Sequence, residues 1–528
     1  MLPEFRNEPL TDFSDPANAR RMEEALARVG DQLGQTYPLI IGDKLKAAAT
    51  TFASINPANP DQVVGHFQQG GVEDAERALK IAEDAFAAWS RTPAEARAFA
   101  LVRTAAAIRR HKFDFAAWMV YEVSKSWVEA DADVAELIDF AEYYARLALK
   151  LAGPQPVYPM PGEDNALHYV PLGVGAVIPP WNFPSAITGG MVMAAVVSGN
   201  TVVLKPASTA PAIAWQVVRA LIDEGGVPPG VVNYVSGPGS AIGDTLVDSP
   251  RTRFIAFTGS KEVGMRIFER AAKVQPGQHF LKRTILEMGG KDALVVDETA
   301  DLDASADALV AGAFGFQGQK CSACSRAIVV DAVYDEVLAR VVERTRKLTV
   351  GDPVQQATFM GAVIDDKAFQ KIQAYIRKGV EEGGRIAVGG EAEKGAGYFI
   401  QPTVIADVRE DATIACEEIF GPVLAFIRAR DFDHAVEIFN GTEFGLTGGL
   451  MSRRRDRLER ARREFHVGNL YLNRKITGAL VGVQPFGGFN MSGTDSKAGG
   501  PDYLLLFTQA KSICERFTVS TPARVSPL

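Results

Sequence analysis

The segment Phe316-Gln317-Gly318-Gln319-Lys320-Cys321-Ser322-Ala323-Cys324-Ser325-Arg326 carries the residue types best suited to covalent chemistry. Cysteine reacts as its thiolate, and cationic neighbours or helix-end amides lower its pKa. Lys320 and Arg326 supply positive charge near Cys321, and Gly318 lets the backbone approach another group closely. The chemistry expected is nucleophilic attack on an electrophilic carbon. The same residues also read as a buried structural cysteine, or as a Cys-x-x-Cys redox or metal pair with Cys324. Zinc would need a second ligand pair, yet Cys416 and Cys514 stand alone and none of the 6 histidines pairs with them at ligand spacing.

Two further segments offer partners for a nucleophile. Glu287 ends the apolar run Thr284 to Leu286, where a carboxylate can be a general base with a raised pKa, or simply a capping or ion-paired residue. In Pro180-Trp181-Asn182-Phe183-Pro184 two prolines flank an amide able to donate to a developing oxyanion; the alternative is a rigid turn around a buried Trp. Phosphate chemistry is suggested at Lys205, which closes a predicted strand, and at Phe257-Thr258-Gly259-Ser260 and Gly237-Pro238-Gly239-Ser240, each between a strand and a helix start. None of these is the Gly-x-Gly-x-x-Gly fingerprint, so each also reads as an ordinary strand-to-helix turn.

The elements that must position these groups follow from periodicity. Residues 16–36 read as an amphipathic helix, and 72–150 as a strongly helical region rich in Ala, Glu and Arg. Prolines at 154, 156, 159 and 161 then mark a linker or edge hairpin. From Tyr169 to Glu287 short apolar runs (173–178, 201–204, 231–235, 253–257) alternate with helical stretches, predicting a parallel sheet covered on both faces. A second alternating stretch spans Ala293 to about Asn473, and a Gly-rich tail, 487–500, leads to the apolar segment Tyr503 to Phe507. The run Ala186 to Ser198 is too short to span a bilayer and reads as a buried helix.

With 528 residues the chain exceeds one compact core, so two or three domains are expected. A net charge of −8 argues against nucleic acid or an anionic membrane as partner. Residues 1–10 show no apolar core, so no signal peptide is expected, and 4 cysteines fit a reducing, cytoplasmic setting better than a disulfide framework.

Taken together in order and spacing, the Pro-Trp-Asn-Phe-Pro, Leu-Lys-Pro-Ala-Ser, Phe-Thr-Gly-Ser, Glu-Met-Gly-Gly-Lys, Gly-Gln-Lys-Cys, Glu-Glu-Ile-Phe-Gly-Pro-Val and Pro-Phe-Gly-Gly-Phe segments resemble the aldehyde dehydrogenase superfamily over roughly residues 40–515. The resemblance implies an α/β fold: a Rossmann-type cofactor domain (1–152 and 172–288), an α/β catalytic domain (289–490) and a bridging oligomerisation hairpin (153–171 and 491–528). It implies that Cys321 attacks the aldehyde, that Asn182 and the Cys321 N–H hold the oxyanion, and that Glu287 activates water. No metal is implied. NAD is the implied cofactor, contacted by Ile178, Pro179, Pro180, Trp181, Lys205, Ser208, Gly237, Gly239, Phe257, Gly259, Ser260, Glu418 and Phe420. Many NAD-preferring relatives carry Glu at position 208; Ser208 removes that charge and leaves room for NADP, or else merely caps a helix.

A finer resemblance is to the branch that oxidises L-glutamate γ-semialdehyde to L-glutamate, the last step of proline catabolism. It rests on residues 473–481 before 484–489, on the Cys321 segment and on about forty added N-terminal residues. The substrate's amino-acid end would meet the N–H groups of Gly478 and Ala479, the Ser322 hydroxyl, Lys320 and Glu136, with Phe183 and Phe489 around its aliphatic stem. Another ω-semialdehyde, an aliphatic aldehyde, or a non-catalytic binding role are the alternatives. A homo-oligomer built on dimers and a proline dehydrogenase partner are further expectations.

Overall fold

The computed structural model describes residues 2–517, so the part of the expected bridging element at 518–528 lies outside the described residues. Two seven-stranded sheets organise the chain. The first runs Arg283–Glu287, Thr252–Thr258, Val174–Ile178, Thr201–Leu204, Val232–Tyr234, Leu39–Ile41, Lys44–Lys46. Its first five strands are parallel, and the last two join antiparallel. The second runs Arg385–Val388, Thr403–Ala406, Val423–Ala429, Arg326–Val330, Ala293–Val296, Thr447–Met451, Asn469–Leu472, parallel except at the first edge. The central strands of both are buried along their whole length, as the unbroken Val/Ile/Leu/Ala runs require of strands covered on both faces.

The helical region at 72–150 resolves into Val72–Trp89, Ala94–Arg110, Lys112–Val123 and Trp127–Ala152. The last, free of Gly and Pro, buries Ala130, Val134, Leu137, Ile138, Ala141, Tyr144, Ala145 and Ala148 at three- and four-residue spacing. It lies against Ala186–Val197, which is buried on almost every side, as its Gly, Ala, Val and Met content demands. The helix expected over 16–36 stops at Gly30: apolar spacing fades after Val29, and Gln35–Tyr37 instead pairs as a strand with Asn59–Gln68.

An antiparallel ribbon joins Glu163–Pro171 to Thr508–Arg516, in register from Thr508↔Pro171 to Arg516↔Glu163. Both strands are mostly exposed or half-buried, so the ribbon stands off the body with few contacts to it. Tyr503–Phe507, just before it, is a 3-10 turn with Tyr503, Leu504 and Phe507 buried. Among the described residues no helix is long and apolar enough to cross a membrane.

Candidate functional site

Glu287 sits on the last residue of its strand, where the sheet hands the chain over to the loop leading to Ala293–Val296. The Gly-rich tail locks this strand end: Glu287 bridges Gly493, and Met288 N–H donates to the Ser492 carbonyl at 2.8 Å. The Glu287 carboxyl is buried; Oε2 accepts from Ser496 Oγ at 3.0 Å, while among the described residues Oε1 has no hydrogen-bond partner. Burial pushes its pKa up to about 8, against the opposing pull of Ser496 and Lys497. A carboxyl so placed can accept a proton near neutrality.

Cys321 follows the helix Leu302–Phe314 by a turn in which Phe316, Gln317 and Gly318 all take left-handed backbone angles. Gly318 is required twice over, since its φ is +64° and a Cβ there would lie 2.3 Å from the Gly421 carbonyl oxygen. Side chains fasten the turn: Gln317 donates to the carbonyls of Ser124 and Ala362, and Gln319 Oε1 accepts from Ile364 N–H, each at 2.9 Å. Asn182 is buried behind it and donates through Nδ2 to the Gln319 carbonyl at 3.0 Å, two residues from the nucleophile.

The expected activation of Cys321 by its cationic neighbours is not what the structure shows. Lys320 pairs with Glu129 at 2.7 Å, and the buried Arg326 guanidinium is consumed by the carbonyls of Lys291, Ile438 and Phe439. Burial and the carboxyls of Glu287, Asp292 and Glu418 raise the Cys321 pKa instead. Cys324 is buried and, like Cys321, a free thiol; among the described residues no group of three or more His, Cys, Asp or Glu could hold a metal ion.

Cys321 and Glu287 open onto one cavity of about 180 Å³. Glu136, Phe183, Lys320, Ser322, Gly478 and Ala479 line it as well. Among the described residues neither the Gly478 nor the Ala479 N–H has a hydrogen-bond partner. Burial and the neighbouring Asp133 raise Glu136 to about 8. Phe489 is not on the wall: its ring packs against His466 and under Lys497, and Phe486 lines the cavity in its place.

Sequence reasoning also passed over the groups that brace the wall. Lys125 and Asp133 form a fully buried ion pair at 2.6 Å. Asp133 accepts besides from Ser185 Oγ and Ala186 N–H, fixing the turn that carries Asn182 and Phe183. The Lys125 ammonium lies 4.2 Å from the Phe183 ring centre and 4.6 Å from that of Phe316. A lysine two residues after the end of the Lys112–Val123 helix and eight before an acidic residue was the available signal.

On the other side of the cysteine turn, Glu418 and Phe420 line a smaller cavity of about 20 Å³ with Gly290 and Lys320. Glu418 accepts from Gly290 N–H at 3.0 Å, and Gly289 leaves it space: a Cβ there would sit 2.2 Å from the carboxylate. Phe420 meets Trp181 edge-on at 5.6 Å. Ile178, Pro179, Pro180 and Trp181 extend from the carboxyl end of Val174–Ile178, and Lys205 from that of Thr201–Leu204. Lys205 is buried; among the described residues its ammonium donates only to the Pro206 carbonyl at 2.8 Å, and burial lowers its pKa to about 8. Ser208 is exposed and is not a helix cap, since Ala210 holds that position. Ser260 caps Lys261–Ala271, accepting from Val263 N–H, with Phe257 and Gly259 in the strand end and turn before it. Gly237 is buried and Gly239 exposed at the start of the next helical turn.

Residues 45–513 match the Aldehyde dehydrogenase family. A 1-pyrroline-5-carboxylate dehydrogenase of Geobacillus kaustophilus is 60% identical over 517 residues, 98% of this chain and 100% of the relative. A solved 1-pyrroline-5-carboxylate dehydrogenase from Thermus with bound NAD superposes with a TM-score of 0.96 at 51% identity, covering 98% of this chain and 100% of that one. Proline utilization A from Bdellovibrio bacteriovorus also gives 0.96, at 43% identity, over 99% of this chain and 54% of that much longer one.

Proposed function

We propose that this chain, which belongs to the aldehyde dehydrogenase family, oxidises L-glutamate γ-semialdehyde, the open form of 1-pyrroline-5-carboxylate, to L-glutamate with NAD. The observation that carries the reading is a single cavity with a thiol and a buried carboxyl on its wall, together with two unengaged backbone amides at Gly478 and Ala479. Those amides, the Ser322 hydroxyl and the Lys320 ammonium suit a carboxylate; Glu136 suits an ammonium; Phe183 and Phe486 suit the stem between. In this reading 1–152 with 172–288 hold the cofactor, 289–490 carry the nucleophile, and 153–171 with 491–528 serve assembly through the outstanding ribbon's edge. An enzyme that oxidises proline is the natural supplier of the substrate.

The cofactor-side residues fit a dinucleotide. Among the described residues the Lys205 ammonium has only a carbonyl for partner, and Glu418 has unused lone pairs. Lys205 and Glu418 would each hold a ribose, with Ser260, Trp181 and the first amides of Lys261–Ala271 along the phosphates. Bound NAD supplies the hydride acceptor. The Cys321 thiol gives its proton to solvent water in the cavity, and its sulfur bonds to the aldehyde carbon. The oxyanion so formed takes hydrogen bonds from the Cys321 N–H and from the Asn182 amide, whose second N–H is not used by Gln319. Departure of hydride from that carbon leaves a thioester on Cys321. Glu287 takes a proton from water; the resulting hydroxide adds to the thioester, the carbon–sulfur bond breaks, and the acid is released.

Steady-state oxidation of L-glutamate γ-semialdehyde, succinate semialdehyde and propanal tests the substrate. A preference for the first by at least about tenfold in kcat/KM, the worth of one or two charge-assisted contacts, is expected; equal values would refute it. Loss of all oxidation in Cys321→Ala, with cofactor still bound, tests the nucleophile.

A further inference from the structure

Residues 2–12 form an extended arm laid along the Trp127–Ala152 helix. The arm is fastened throughout: Arg146 donates to the Pro3 carbonyl, Arg109 pairs with Glu8, Lys112 donates to the Pro9 carbonyl, and Thr11 donates through N–H and Oγ1 to Asp131. At its centre Asn7 Nδ2 donates to Asp139 Oδ2 at 2.8 Å and to the Val481 carbonyl at 2.9 Å, while Glu8 N–H donates to Asp139 Oδ1 at 2.6 Å. Phe5 meets Tyr143 edge-on at 5.1 Å, and Gly482 turns, with φ +76°, into the corner between these rings; a Cβ there would touch Phe5 at 3.2 Å and Tyr143 at 3.1 Å.

The arm thus connects two parts of the cavity wall. Asp139 belongs to the helix that presents Glu129, Asp133, Glu136 and Phe140 to the cavity, and Val481 and Gly482 belong to the loop that presents Gly478 and Ala479. Among the described residues the loop's other hydrogen bonds run to the Gly-rich tail, as from Gly482 N–H to the Gly499 carbonyl, or stay within it and its approach, as from Leu480 N–H to Gln484 Oε1 and from Arg474 to the carbonyls of Thr477 and Gly478. Two amides that receive one carboxylate need a backbone held to a fraction of an ångström, and bonds to two separate elements hold a loop better than bonds to one.

We propose that the N-terminal arm is a specificity strap: through Asn7 and Phe5 it holds the 478–484 loop in the shape that receives the substrate's carboxylate. Asn7 and Phe5 are positioning residues, and the inference rests on the carboxylate reading of Gly478 and Ala479 given above.

The test compares wild type, Asn7→Ala, Phe5→Ala and a chain lacking residues 2–12, on L-glutamate γ-semialdehyde and on butanal, which has no carboxylate. Asn7→Ala is expected to raise KM for the semialdehyde about fivefold, the worth of one ordinary hydrogen bond, with kcat within about twofold. Its kcat/KM for butanal should stay unchanged, and amide hydrogen exchange at 478–484 should quicken. A wild type that does not prefer the semialdehyde over butanal would overturn the carboxylate reading itself. A wild type with that preference, kept intact in Asn7→Ala and Phe5→Ala along with slow exchange at 478–484, would overturn the strap alone. Should the shortened chain not fold, the two point variants still decide.

Discussion

Ser496→Ala removes the only side-chain hydrogen bond to Glu287 among the described residues, a buried contact of 3.0 Å. A hydrogen bond to an ionised partner is worth about 1.5–3 kcal/mol, and about 1.4 kcal/mol equals one pKa unit. The Ser496 hydroxyl favours the carboxylate, so its loss raises a pKa that already stands at about 8. Taking the low end, Glu287 moves up by about one unit, to about 9. At pH 7.5 the ionised fraction then falls from about one quarter to about 3%, a loss near eightfold in thioester hydrolysis. At pH 10 both forms are almost fully ionised and the difference disappears. The other charged or titratable groups facing Glu287, namely Lys497, Asp495, Cys321 and Tyr503, are unchanged. Stopped-flow NADH formation followed into the steady state separates the steps: the burst reports attack and hydride transfer, the steady rate reports hydrolysis. A burst of normal amplitude with a steady rate that recovers in alkali is expected. Equal slowing at pH 7.5 and pH 10 would refute the reasoning, and a missing burst would refute the confinement of Glu287 to the hydrolytic step.

Gly289→Ala drives a methyl group into the Glu418 carboxylate and should raise KM for NAD about tenfold by displacing one charge-assisted bond to ribose; an unchanged NAD titration would remove Glu418 from that role. Ser208→Glu places a carboxylate at an exposed position beside the proposed adenosine ribose, and is expected to lower kcat/KM for NADP about tenfold while leaving that for NAD within about threefold. Equal effects on both would place Ser208 away from the 2′ position. Lys125→Met leaves Asp133 buried without its cation, which should cost about 3–5 kcal/mol in denaturant unfolding. A midpoint shift corresponding to less than about 1 kcal/mol would mean that Asp133 is satisfied by its Ser185 and Ala186 bonds alone.

How much of this was legible in the sequence depended on whether a group's role is set by its neighbours in the chain or by those in space. The strand-ending position of Glu287 and the buried character of Ala186–Val197 follow from local periodicity, and both were readable. Arg326 was misread because it stands five residues from Cys321; its strand turns the guanidinium toward carbonyls more than a hundred residues away in two of three cases. Phe486 and Phe489 flank two glycines, so which ring faces the cavity depends on the turn between them, and composition carries no trace of it. Ser496 lies in an aperiodic tail, where nothing distinguishes one hydroxyl from another until the tail meets the Glu287 strand.

The raised pKa of Cys321 has a protective side. Peroxide and alkylating agents are electrophiles that the thiolate attacks, so a sulfur stored with its proton on reacts slowly with both. Burial first, and then the carboxyls of Glu287, Asp292 and Glu418, keep the proton on the idle sulfur and so slow its loss to such reagents between turnovers.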